Sequence, residues 1–325
     1  MRILIAHNVA RLALAWRDAI TTRLPQSTVV TWPEALDDLA DYAIGWRPPE
    51  ALFQRERRLK AFFVAGAGVD QVLTMRSLDP RLPIIRLEDA GMGRQIAQYC
   101  VHQVLDWYTK RNAYESQQQN RIWKPLQVAT PAEWPIGVFG LGRLGQHVAQ
   151  AFLSLGFPVH GYTRSARSVE GVRVYVDAEG TEKALAAFLG ASRVLILMAP
   201  LTIDTRDRFN ATRLRHLQAG SYVINVARGE LLVENDLIEL LDSGHLCGAS
   251  LDVFREEPLP TDHALWRHPG VSNAAHCRSH ADSRGSGPNR RKNPRLRIGA
   301  TRFGCRRPTT RLLDGFSNEP VRVHV

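Results

Sequence analysis

The sequence predicts an α/β protein in which a doubly wound parallel-sheet domain is preceded by a smaller α/β unit. From PIGVFG onward, strand-length apolar runs (VHGYTR, RVLILMAP, SYVINVAR, CGASLDVF) alternate with segments such as RLGQHVAQAFLSLG and ENDLIELLDSG. That alternation is the pattern of a parallel sheet covered on both faces. Before about Leu87 a separate series of short apolar runs, RILIAH, STVVTW, DYAIGW, KAFFVAG and PIIRL, alternates with polar or helix-like stretches, as a small α/β unit requires. Length agrees: 325 residues, 44% of them hydrophobic, exceed one compact domain and can fill two cores.

Taken in order, the first unit is expected to span 1–93, the second 94–276, with 277–325 a separate basic tail. GMGRQIAQYCVHQVLDWYTKR joins the units; Ile96, Cys100, Val104 and Trp107/Tyr108 recur at helical spacing, predicting one long amphipathic helix. Residues 112–134 are polar and read as an irregular connector. The four cysteines, Cys100, Cys247, Cys277 and Cys305, lack CxxC spacing, so neither a disulfide framework nor a metal site is expected, and Cys100 and Cys247 sit in apolar runs. The N-terminal stretch MRILIAHNVARLALAW is interrupted at His7, Asn8 and Arg11, and the longest apolar runs are strand-length. A cytoplasmic protein with no membrane association is the expectation.

The formal charge of +10 suggests a polyanionic partner until its distribution is read. Residues 277–325 hold 12 Lys and Arg against 3 Asp and Glu, leaving 30 basic and 29 acidic residues in the first 276. The body of the chain is nearly neutral, so its overall charge gives no case for nucleic acid.

GLGRLG, with Gly140, Gly142 and Gly145, follows the strand PIGVF and opens a helix through Arg143 and Leu144. Glycines in this pattern allow a tight turn, close backbone approach to a pyrophosphate and helix-to-strand packing, while the helix N-terminus supplies N–H groups to the anion. The spacing alone is weak and also fits a structural turn; the strand before it, the helix after it and the second strand FPVHGYT give it the context of a Rossmann dinucleotide site. At the end of that second strand, where an acidic residue would receive a ribose hydroxyl, the chain has Thr163, Arg164, Ser165 and Arg167. Arginine pairs with a phosphate, so NADP(H) is expected and NAD(H) is less favoured, unless both arginines are merely solvated loop charges.

Three later stretches fall at successive strand ends: NVARGELL with Arg228, LDVFREEPLP with Asp252 and Glu257, and HPGVSNAAH with His276. Together they suit reduction of a 2-oxo acid. Hydride arriving at a carbonyl carbon leaves charge on oxygen, and His276 can deliver the proton because histidine titrates near neutrality. Glu257 on its other ring nitrogen would favour the imidazolium, and Arg228 can hold the substrate carboxylate and polarise the carbonyl. Singly, these residues read as a surface ion pair, a solvated acid and a chance histidine.

AGAGVD (65–70), RLEDAGMG (86–93), IWKPL (122–126), GLGRLG (140–145), NVARGE (225–230), LDVFREEPLP (251–260) and LWRHPGV (265–271) resemble the D-isomer-specific 2-hydroxyacid dehydrogenases, most closely their glyoxylate/hydroxypyruvate reductase A branch. The resemblance runs to about residue 271. It implies a flavodoxin-like N-terminal unit beside the Rossmann domain, and NADPH-dependent reduction of glyoxylate to glycolate and of hydroxypyruvate to D-glycerate. It implies Arg228, Glu257 and His276 as the catalytic set, and backbone N–H groups at Gly68 and Val69 on the substrate carboxylate. Trp46 and Arg47 would line the substrate pocket, Asp252 would face the nicotinamide carboxamide, and Pro200 and Ala227 would contact the cofactor. Small 2-oxo acids and a second copy of the chain, in a homodimer, are the implied partners.

After Asn273 the family pattern stops: Ala275 stands where proline is expected, and the following residues lack an amphipathic period. The basic tail is then expected to be disordered, and its composition alone would suit phosphate neutralisation. The account preferred is that it is the family C-terminus read out of frame. With permitted codons and the first nucleotide of codon 274 dropped, one allowed translation begins PHIAAVTRIAAEAVRIAEKIRAF, which has a helical apolar period; a nucleotide sequence lacking such a translation ends that account. Two alternatives to an active reductase follow: a corepressor-like cofactor-binding protein without turnover, and an enzyme impaired by the altered C-terminus.

Overall fold

A computed structural model describes residues 1–34, 38–127, 129–177 and 182–273; His276 and the tail lie outside the described residues. The chain divides at Ala90/Gly91 into two compact units.

In the N-terminal unit, β1 (Arg2–His7), α1 (Ala10–Arg23), β2 (Thr28–Thr31), β3 (Tyr42–Trp46), α2 (Glu50–Arg55), β4 (Ala61–Val64), a single turn α3 (Asp70–Leu73) and β5 (Ile84–Arg86) follow one another. The strands form a wholly parallel sheet in the order β2-β1-β3-β4-β5, the flavodoxin-like order. Leu4, Ala6, Ala43, Phe62 and Val64 meet Leu52 and Phe53 of α2 on one face, and Ile3, Ile5 and Ile44 meet Ala13 and Ile20 of α1 on the other. The period of two in a strand sends alternate residues to opposite faces, so a run such as RILIA serves both cores.

The second unit begins with α4 (Met92–Tyr108) and α5 (Arg111–Gln119). It continues through β6 (Ile136–Phe139), α6 (Arg143–Ser154), β7 (Val159–Thr163), β8 (Val172–Val176), α7 (Glu182–Gly190), β9 (Val194–Leu197), α8 (Ala211–Leu214), β10 (Ser221–Asn225), α9 (Glu234–Asp242), β11 (Leu246–Leu251) and β12 (Val271–Asn273). Its seven strands are parallel, in the order β12-β11-β10-β9-β6-β7-β8. This is the Rossmann order with one added strand, and the direction of winding reverses between β6 and β9. Val194 and Ile196 face Ala97, Cys100 and Val104 of α4 and Val148 and Phe152 of α6; Leu195 and Leu197 face Phe188 of α7 and Leu237 and Leu240 of α9. A buried chain of hydroxyls ties this layer together: the Tyr222 and Ser250 oxygens are 2.6 Å apart, and Ser250 donates to Gln103 Oε1 of α4 at 2.6 Å. The α/β class and the two parallel sheets are as the sequence predicts.

Two segments differ from expectation. The connector contains the helix α5, separated from α4 at Lys110, whose φ is 55°. RNAYESQQQ buries none of its residues, so it had no apolar stripe to announce it. VRVYV forms β8, which pairs only with β7 and is nowhere fully buried; as an edge strand it lacks the continuous apolar run that marked its neighbours. Cys100 is buried, whereas Cys247 is only half-buried against the same core. No helix among the described residues is long and apolar enough to cross a membrane.

Candidate functional site

The crevice where winding reverses is built by the glycine turn. Gly140, at φ 108°, closes β6 against the end of β9, and a Cβ there would sit 2.7 Å from Ala199 N. At Gly145, in the first turn of α6, a Cβ would lie 2.0 Å from the Gly140 carbonyl oxygen, so a side chain would force helix and strand apart. Gly142 faces open space: a Cβ would meet nothing within 4 Å. It is also the N-cap of α6, and no side chain caps that end. An uncapped N-terminus of a twelve-residue helix, beside a position kept clear of any side chain, fits a pyrophosphate by charge and by shape. Arg143 is exposed and Leu144 half-buried at this entrance.

Thr163 ends β7, and Arg164, Ser165 and Arg167 follow it on the exposed turn. Thr163 Oγ1 donates to the Ser165 carbonyl at 3.2 Å. The Arg167 guanidinium donates to the Leu141 carbonyl inside the glycine turn, the same oxygen that Gln146 Nε2 approaches at 3.1 Å. Arg164 lies 3.4 Å from Asp204 Oδ2. The structure therefore brings the glycine turn and the arginine turn together, as two neighbouring strand ends should. Beneath them is a buried network that the sequence did not reveal. The Tyr162 hydroxyl donates to Asp177, the Asp177 N–H donates to the Thr163 carbonyl at 2.9 Å, and Arg208 stands 3.7 Å from the same carboxylate. Burial, and then the hydrogen bond to Asp177, push the Tyr162 phenol well above its ordinary pKa.

Across the switch point, β10 delivers Ala227, buried, and Arg228, half-buried, with Arg228 in extended backbone. Asn225 clamps this turn, its Nδ2 donating to the Arg228 carbonyl at 2.8 Å and its Oδ1 accepting from the Ala227 N–H at 3.1 Å. Gly229 then passes so close to the next strand end that a Cβ would fall 1.9 Å from the Phe254 carbonyl carbon. Asp252 is buried, and its N–H donates to the Asn225 carbonyl at 3.0 Å. Glu257 is exposed, with Oε1 3.3 Å from the Phe254 N–H. Glu234 Oε1 accepts from the Arg255 N–H at 2.9 Å and Oε2 stands 3.5 Å from His263. Pro200 is exposed, and its carbonyl accepts from Thr205. The turns bearing Arg228, Asp252 and Glu257 are thus packed side by side. His276 falls outside the described residues, so its contact with Glu257 stays an expectation. Asn225 and Glu234, which hold this rim, read in the sequence as ordinary members of a strand and a helix start.

In the N-terminal unit, Trp46 ends β3, and the exposed Arg47 follows with φ 51°, a backbone region costly for any residue but glycine. The AGAGVD loop after β4 lies against this corner: at Gly66 a Cβ would be 2.2 Å from the Trp46 ring. Gly68 and Val69 are half-buried, two and three residues along that loop. The four residues read as substrate contacts therefore share the carboxyl end of one sheet, where ligands bind in open α/β folds.

The D-isomer specific 2-hydroxyacid dehydrogenase NAD-binding domain model matches residues 101–277. Glyoxylate/hydroxypyruvate reductase A of Salmonella typhimurium is 42% identical over 281 residues, covering 85% of this chain and 88% of that protein. A D-isomer specific 2-hydroxyacid dehydrogenase from Xanthobacter autotrophicus, solved with NADPH and MES, superposes with a TM-score of 0.77 at 34% identity, over 84% of this chain and 86% of that one. An NADPH-dependent glyoxylate/hydroxypyruvate reductase from Sinorhizobium meliloti, solved with NADP and sulfate, gives 0.76 at 34% identity, over 84% and 87%.

Proposed function

The chain belongs to the D-isomer specific 2-hydroxyacid dehydrogenase family, and from that premise we propose that it is a reductase of glyoxylate and hydroxypyruvate that prefers NADPH, giving glycolate and D-glycerate. The observation that carries the cofactor choice is the turn after β7, where Arg164 and Arg167 occupy the place of a ribose-binding acid and Arg167 reaches the glycine turn. Those guanidiniums would hold the 2′-phosphate, and the N-terminus of α6 the pyrophosphate. When bound, the reduced cofactor supplies the hydride. Asp252, buried behind Asn225, would receive the carboxamide, with Pro200 and Ala227 as further contacts. Arg228, on its clamped turn, would polarise the carbonyl, and His276, backed by Glu257, would deliver the proton. Backbone N–H groups at Gly68 and Val69 would bind the carboxylate, with Trp46 and Arg47 beside it. The same proposal includes a homodimer in the cytoplasm; for the dimer, Trp123 is 98% exposed and Ile122 53%, an apolar pair that a second copy would cover.

The experiment is direct. NADPH absorbance is expected to fall when glyoxylate or hydroxypyruvate is added to purified protein, and to fall far more slowly with NADH. Tight NADPH binding without turnover would favour a corepressor-like role, and an enzyme that runs better on NADH would remove the role given to Arg164 and Arg167.

A second reading concerns residues 277–325. The family match ends at residue 277, and the basic segment begins there. We propose that the chain from residue 274 onward, this segment included, is the family's C-terminus one base out of frame and that the change impairs turnover. A chain with the shifted frame restored is expected to turn over faster; equal rates would sink the impairment.

A further inference from the structure

The turn expected to receive the 2′-phosphate faces a charge of the wrong sign. Between β9 and α8, residues 200–205 form a tight loop held by Thr205, whose Oγ1 donates to the Pro200 carbonyl at 2.7 Å and accepts from the Thr202 N–H at 2.7 Å. Ile203 and Asp204 stand at its tip, Ile203 88% exposed. Asp204 Oδ2 lies 3.4 Å from the Arg164 guanidinium, across a sequence separation of 40 residues, with both side chains largely in solvent.

We propose that Asp204 sets how strongly this chain discriminates NADPH from NADH, by competing with the 2′-phosphate for Arg164. The inference rests on the reading of Arg164 given above. An exposed ion pair of this kind contributes little and opens readily. A phosphate monoester, carrying a charge of about −1.5 to −2 and three strong acceptor oxygens, is the better partner for a guanidinium. Asp204 therefore does not block the phosphate. Its carboxylate stays on a braced loop beside the arriving dianion, and the repulsion falls on the phosphorylated cofactor alone. The unphosphorylated cofactor brings a ribose hydroxyl that can donate to the carboxylate, and meets no such opposition.

Asp204→Asn keeps the side chain's size and removes its charge. In calorimetric titrations, NADP+ and adenosine 2′,5′-bisphosphate are expected to bind about three- to tenfold more tightly to this variant than to the parent chain. NAD+ and AMP should gain nothing and bind at most about twofold more weakly, their ribose hydroxyl having lost a charged acceptor, and the NADP+ gain should shrink as salt is raised. Asp204→Ala should move in the same direction. Unchanged NADP+ affinity would overturn the proposal, as would weaker binding, which would instead make Asp204 a positioning residue for Arg164. Arg164→Ala keeps the two ideas apart. If it leaves NADP+ affinity unaltered, the phosphate role given to Arg164 fails and the present inference with it; if it weakens NADP+ while Asp204→Asn brings no gain, only the present inference fails.

Discussion

The two units both build wholly parallel sheets, from unlike materials. In the Rossmann unit, β6, β9 and β10 are buried at every residue, because helices cover both faces along their whole length. In the N-terminal unit, the outer strands β2 and β5 have four and three residues and are mostly half-exposed. Polar links substitute there for apolar continuity. The buried Glu56 accepts from the Ala40 N–H at 2.7 Å beside an ion pair to Arg55, and Asp41 joins the starts of three strands through Arg2, Lys60 and its own place before β3. One sheet specifies itself by burial, and the other by burial at its centre with charged fastenings at its ends.

The largest expected effect tests whether this difference in construction gives two separately stable bodies. Phe62 of β4 and Phe152 of α6 are both fully buried, so truncating either to alanine should cost about 3–5 kcal/mol. For Phe62→Ala the loss falls on the smaller core, and urea unfolding should show an early transition after which NADPH is still bound. For Phe152→Ala, loss of NADPH binding should move to lower urea. A single transition that abolishes cofactor binding in both variants would show that the units stand or fall together.

A smaller effect sharpens the comparison at the two ligand ends. Gly142→Ala places a methyl in open space, so it should lower the melting temperature only slightly, through the poorer N-cap, and weaken NADPH binding by about tenfold, or roughly 1.4 kcal/mol. Gly66→Ala drives a methyl into the Trp46 ring and should raise the KM for glyoxylate by about fivefold without altering NADPH affinity. Cofactor titration and steady-state kinetics on the same samples read both. If Gly66→Ala acted on NADPH affinity instead, the division of labour between the units would be wrong.

The same contrast explains what could be read from the sequence. Strands buried on both faces leave continuous apolar runs, so the central strands and their order of appearance were legible, as was the glycine turn, whose spacing follows from a single local geometry. The edge strand β8 and the solvent-bathed α5 left no such run. Nor did the contacts that brace the site. Asn225 holding Arg228, Glu234 holding the Arg255 N–H, and Asp204 facing Arg164 each join a polar side chain to a backbone or charge that only folding brings near. Residue type told which groups could do chemistry, and said little about which groups hold them still.

The smallest predicted effect concerns the fastenings of the N-terminal sheet. The hydrogen bond from Lys60, and then the Arg2 N–H, lower the Asp41 carboxyl from 3.8 to about 2. A carboxyl whose pKa falls on folding adds stability that is fully present above its unfolded value and is lost as pH drops through its folded one. Asp41→Asn keeps an acceptor for the Arg2 N–H but gives up the charge facing Lys60. Because the pair is exposed, the N-terminal transition should fall by only about 1–2 °C at neutral pH. The gap between variant and parent should close as pH is taken from 3.8 toward about 2, since the parent's carboxyl is then protonated as well. Thermal melts across that range decide the matter: a gap that persists below pH 2 would mean that the shape of Asp41, and not its charge, fastens the three strands.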